Sequence, residues 1–79
     1  MVLNSKPNSF LDLRGIECPL NYVKTKLELD KMKSGNLLEL WIDDGEAINT
    51  VPTSINNDGN IIESIERLSG YYKLLIIKS

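Results

Sequence analysis

Seventy-nine residues, with nine Lys and Arg against eleven Asp and Glu, make a small and slightly acidic chain of formal net charge -2, which counts against a phosphate-backbone binder. With no histidine and one cysteine, a metal site would rest on carboxylates alone, so zinc binding and Cys–His catalysis are nearly excluded. A lone cysteine cannot form an intramolecular disulfide, and it suits a reducing compartment, the cytoplasm.

In chain order, residues 1–9 read as a flexible polar segment without a signal-peptide apolar core, and residues 10–79 as one domain. No apolar run approaches the ~20 residues of a membrane span. Phe10-Leu11-Asp12-Leu13 alternates apolar and acidic residues, predicting a strand over 9–13, and Gly15 supplies a turn. From Pro19 to Lys33 no glycine or further proline intervenes, which predicts a helix over 19–33 with Gly35 as its C′ residue and Lys31 and Lys33 suited to the carboxyl end. Leu37 to Asp43 reads as a second strand, stopped by Asp43-Asp44-Gly45. A second helix over 46–58 is expected to be divided or restarted by Pro52, and Gly59 stops it. Strands over 61–68 and 72–78 follow, joined through Ser69-Gly70-Tyr71 as a hairpin. The order β-α-β-α-β-β implies an α/β domain of the α+β type, a two-layer sandwich with a four-stranded mixed sheet and two helices on one face. The chain is too short to supply a second helical layer.

On the first helix Tyr22, Thr25, Leu29 and Met32 share one arc and are expected to face the sheet. Leu20, Val23 and Leu27 form a second stripe nearly opposite, which one sheet cannot also bury. That stripe is either ordinary surface content or a partner surface beside Cys18. In the second strand Leu38, Leu40 and Ile42 share one face and Leu37, Glu39, Trp41 and Asp43 the other, so Trp41 falls on the less buried side, to be covered by a neighbouring side chain or by another chain.

Cys18 carries the candidate chemistry. It precedes Pro19, which fits N1 because that position needs no N–H donor, and a thiol there meets unpaired amides and the positive end of the macrodipole, which favour the thiolate. Arg14 nearby favours the thiolate and Glu17 opposes it. The alternative is a small buried hydrophobe. Lys24 and Lys26, with Arg14, form either a basic rim for an acidic partner or a solvated face. Asp43 and Asp44 point to opposite sides of a strand end, and a turn and helix-cap role is expected for them in preference to metal or acid–base work.

The segment Leu11-Asp12-Leu13-Arg14-Gly15-Ile16-Glu17-Cys18-Pro19 resembles the opening of the TusA/SirA-like sulfur carriers. The likeness continues through the Ser34 to Leu40 turn and strand, the Asp43-Asp44-Gly45 turn and Val51-Pro52. It implies a β-α-β-α-β-β sandwich in which Cys18 accepts sulfane sulfur as a persulfide and delivers it to a partner, with Gly15, Arg14 and Pro19 supporting the helix start. Asp43 and Asp44 then become candidate contact residues. Where the family motif reads Cys-Pro-x-Pro, this chain has Asn21 in place of the second proline.

The resemblance therefore implies a sulfur relay such as tRNA thiolation or cofactor sulfuration. Its partners would be a donor protein, such as a cysteine desulfurase or rhodanese-like protein, and an acceptor protein. No cofactor, metal or membrane is expected, and direct nucleic-acid binding is disfavoured by acidity and the lack of a basic run. No second cysteine can resolve a persulfide internally, so delivery is to another molecule. The rival reading is a non-catalytic interaction or regulatory domain with a structural cysteine.

Overall fold

A computed structural model of the chain describes residues 7–79. Its elements are β1 (Ser9–Asp12), α1 (Leu20–Lys31), β2 (Leu37–Asp43), α2 (Glu46–Asn57), β3 (Ile61–Arg67) and β4 (Tyr71–Ile77). The strands form one mixed sheet in the order β1-β2-β4-β3, with β1 parallel to β2 and the remaining pairs antiparallel. The predicted flexible segment falls for residues 1–6 outside the described part. Asn8 is already tied to β2, since its N–H donates to Leu37 C=O (2.7 Å) and its Oδ1 accepts Leu37 N–H (2.8 Å).

Period-2 alternation in β2 sends Leu38, Leu40 and Ile42 to one face, where all three are fully buried. The register places Leu38 opposite Ile76, Leu40 opposite Leu74 and Ile42 opposite Tyr72, so β4 adds its own buried pair to that face. Both helices cover it: Leu29 of α1 and Ala47, Val51 and Ile55 of α2 complete a single cluster. Each fully buried Leu or Ile contributes roughly 1.5–3 kcal/mol, so these few side chains dominate the fold. The two-layer sandwich with both helices on one face is therefore the observed architecture.

Three local expectations give way. Pro52 neither divides nor restarts α2, which runs unbroken past it. Ala47, Val51 and Ile55, spaced i, i+4, i+8, hold that helix on the sheet, and tertiary burial outweighs the ~3 kcal/mol a proline costs in a helix interior. The first helix ends at Lys31 because Met32 is extended, and Gly35 donates to Lys78 C=O at 2.8 Å, fastening the turn to the end of β4 instead of capping α1. Pro19 stands at the N-cap of α1, one position earlier than N1. The β3–β4 hairpin turns as expected through Ser69 and Gly70, with Leu68 N–H donating to Tyr71 C=O at 2.7 Å and Gly70 at φ +82°, a region open to glycine.

Trp41 is covered from within the chain. Phe10 meets it edge-on at 4.9 Å between centroids, Tyr71 lies tilted against it at 5.1 Å, and the Arg14 guanidinium sits 4.6 Å from its ring. No described helix is long and apolar enough to cross a membrane.

Candidate functional site

The β1–α1 connection carries Cys18 and is braced at several points. Leu13 is buried, and its N–H donates to Trp41 C=O at 2.9 Å. Ile16 N–H returns to Leu13 C=O at 3.2 Å, closing the turn. Gly15, at φ +82°, directs its N–H to Asp43 Oδ2 at 2.7 Å. Held in this way, the loop leaves the Cys18 thiol free and exposed, which overturns the buried-hydrophobe alternative.

Asp43 thus braces the cysteine loop, and Asp44 pairs with Arg67 at 3.0 Å. Neither caps α2, whose N-cap is Gly45 with no side-chain hydrogen bond. The turn role holds in a different form: one carboxylate serves the neighbouring loop and the other the end of β3.

Arg14 does not turn to the thiol. Its Nε and Nη2 donate to the two carboxylate oxygens of Asp12 at 2.9 and 2.8 Å, and its guanidinium lies 4.5 Å from the Tyr71 ring as well as against Trp41. A planar cation fits this place, since it can grip a carboxylate with two parallel bonds and stack on aromatic faces at once. The Arg14 hydrogen bonds hold the Asp12 carboxyl below the ordinary range, and Asp12 raises Arg14.

Helix-terminal amides are less available than the sequence implied. Asn21 N–H donates to Glu17 C=O at 3.1 Å and Tyr22 N–H to Asn21 Oδ1 at 2.7 Å, so Leu20 N–H is the first-turn amide left without a bond among the described residues. On α1, Thr25 and Leu29 are buried, while Tyr22, and Met32 just past the helix end, pack at the edge of the core. The opposite stripe stands open, with Leu20 50%, Val23 42% and Leu27 57% exposed. Leu27 joins Leu11, Leu13 and Ile16 in a shallow groove of about 300 Å³ between α1 and the outer edge of β1, with Lys24 and Lys31 on its walls.

Cys18 itself lines a different cleft, about 420 Å³, between its own loop and the start of α2. Gly15, Asp43 and Asp44 converge there as candidate residues. Glu17, read from the sequence as opposing the thiolate, also walls it, as do Asn21 and Glu46, to which the sequence reading had given no part in the site. Asn21 was legible only as a missing proline; its spacing of three from Cys18 was the available signal. Four carboxylates surround the opening, yet among the described residues no group of three or more His, Cys, Asp or Glu side chains is arranged to hold a metal ion.

A small α+β sandwich presenting one free thiol at the entrance of its first helix defines the class: a single-cysteine α+β domain. Residues 9–78 match the family described as Sulfurtransferase TusA, and the chain belongs to that family. A protein of Archaeoglobus fulgidus bearing the description "Putative sulfur carrier protein" is 38% identical over 71 residues, covering 90% of this chain and 81% of that protein. YedF of Escherichia coli strain K12, described in the same words, is 31% identical over 75 residues, covering 95% of this chain and 97% of its own length. The crystal structure of a SirA-like protein from Desulfitobacterium hafniense superposes with a TM-score of 0.75 at 18% identity, covering 87% of this chain and 95% of that one, which shows a shared fold. Family and relatives together support a sulfur-carrier role, and with it interaction with sulfur-donor and sulfur-acceptor proteins.

Proposed function

We propose that Cys18 accepts sulfane sulfur as a persulfide and passes it to a partner protein in a sulfur relay such as tRNA thiolation or cofactor sulfuration. The observation that carries this reading is the exposed free thiol on a braced loop, in a chain with no second cysteine. In the loading step the Cys18 thiolate attacks the outer sulfur of a donor persulfide R–S–SH. The donor S–S bond breaks, R–S⁻ leaves, and Cys18–S–SH remains, so no external oxidant or reductant is needed. In the delivery step an acceptor thiolate attacks that outer sulfur and Cys18 departs as the thiolate.

Donors of the cysteine desulfurase or rhodanese-like kind supply such a group, and the compartment in keeping with a lone reactive thiol is the cytoplasm. The cleft wall favours partners that approach with basic side chains, since neither Glu17 nor Glu46 forms an ion pair among the described residues. Leu20, Val23 and Leu27 offer an exposed apolar contact along α1.

Incubation with a cysteine desulfurase and free cysteine, followed by intact-mass measurement with and without reductant, tests the proposal. The wild-type chain gains one reducible sulfur atom and Cys18→Ser does not. Absence of that gain in a folded sample offered several donors would return Cys18 to a structural role in an interaction domain.

A further inference from the structure

We infer that Asn21 is a positioning residue for the sulfur cargo, its side-chain amide donating a hydrogen bond to the outer sulfur of the Cys18 persulfide; the inference rests on the persulfide reading above. Asn21 is 1% exposed and lines the Cys18 cleft. Its orientation is determined, because Tyr22 N–H requires an acceptor and takes Oδ1 at 2.7 Å, which leaves Nδ2 on the other side. Its backbone is held as well, with Thr25 Oγ1 donating to Asn21 C=O at 2.9 Å.

Nδ2 has no partner among the described residues, and no fully sealed side-chain nitrogen or oxygen there lacks one, so Nδ2 reaches the small surface that Asn21 retains. Asn21 is one of the residues that wall the Cys18 cleft.

The electrostatics of the cleft give this donor its importance. Glu17, Asp43, Asp44 and Glu46 all oppose an anion, and Asn21 is the one lining residue whose side chain carries an N–H. A persulfide exposes a partly anionic outer sulfur, about 2 Å beyond the thiol sulfur. Cys18 and Asn21 line the same cleft, and no hydrogen bond joins them among the described residues, so the donor is unengaged before the outer sulfur is added. A donor already locked in place needs no reorganisation when the charge arrives.

The test is a sulfur-exchange equilibrium. Wild type, Asn21→Ala and Asn21→Asp are loaded with inorganic polysulfide and equilibrated with glutathione, so that Cys18–S–S⁻ and G–SH convert to Cys18–SH and G–S–S⁻. Intact mass reads the partition, and iodoacetamide alkylation of the unloaded thiol serves as control. Asn21→Asp keeps the Tyr22 acceptor and loses the donor, which guards against a failure of Asn21→Ala to fold. Asn21→Ala is expected to shift the partition about tenfold towards glutathione, the effect of one hydrogen bond to a charged group, with thiol alkylation unchanged, and Asn21→Asp to shift it further because it adds a fifth carboxylate to the cleft. Wild-type partition in folded variants would overturn the role of Asn21 alone, as would a parallel shift in thiol alkylation, which marks a general disturbance of the loop. Failure of wild type to load would overturn the persulfide reading itself.

Discussion

Asp43 Oδ2 accepts the Gly15 N–H at 2.7 Å, so the last residue of β2 holds the loop that presents Cys18. Residues 28 positions apart in the chain are thereby joined at the mouth of one cleft. Asp43→Ala is expected to cost about 1 kcal/mol and to raise hydrogen exchange at Gly15 and Ile16, measured by NMR, while Asp43→Asn, which keeps an acceptor, retains most of the protection. Equal protection in Asp43→Ala and wild type would mean that the loop is held by Leu13 and Ile16 alone.

The pair Asp12 and Arg14 makes stability depend on acid. Arg14 holds the Asp12 carboxyl low, so the pair's contribution is present above the unfolded carboxyl value of about 3.9 and is lost as pH falls through the folded one. Thermal melts of Asp12→Asn are expected to show a shallower decline than wild type below pH ~4. Indistinguishable acid limbs would remove the pair from the account.

Arg14→Lys loses the two parallel bonds to Asp12 and the stacking on Trp41 and Tyr71. Trp41 is the chain's one tryptophan, so its fluorescence is a clean reporter. The emission is expected to move to longer wavelength and the melting temperature to fall. An unchanged spectrum would show that Phe10 and Tyr71 suffice to cover the ring.

Leu40 is fully buried in the centre of the sheet, between both helices and the register partner Leu74. Leu40→Ala is expected to destabilise by about 2–5 kcal/mol. A domain of this size has roughly 4–12 kcal/mol in all, so urea midpoints should fall steeply, and a change below about 1 kcal/mol would contradict the packing described.

Val23 and Leu27 stand on the exposed stripe of α1. Replacing both with serine is expected to leave stability within about 1 kcal/mol and polysulfide loading of Cys18 intact, while slowing loading by a cysteine desulfurase. If protein-mediated loading keeps its wild-type rate, the stripe is plain surface.

The strand periods and helix stripes were legible because each is a local property of the chain. Leu38, Leu40 and Ile42 alternate, and Thr25 and Leu29 share a helix face, whatever lies across from them. Pro52 was misread because its cost is local and its compensation is not: Val51 and Ile55 repay it only when a sheet lies beneath them. Arg14 was assigned to the thiol on nearness in sequence, whereas a turn at Gly15 and the aromatic pair Trp41 and Tyr71 draw it to the sheet's open face. Asn21 was weighed as a lost proline because the cleft that gives its amide a purpose is walled by α2, more than twenty residues further on.

The sequence by itself determined the element order, the apolar faces that must meet, and the single thiol through which any sulfur chemistry must pass. These follow from periodicity, composition and the count of cysteines. Only the tertiary structure decided which charges surround that thiol, which loop amide Asp43 holds, and which cleft Asn21 lines. Such pairings join distant residues, and their geometry exists only once burial of one common core has brought β2, α1 and α2 together.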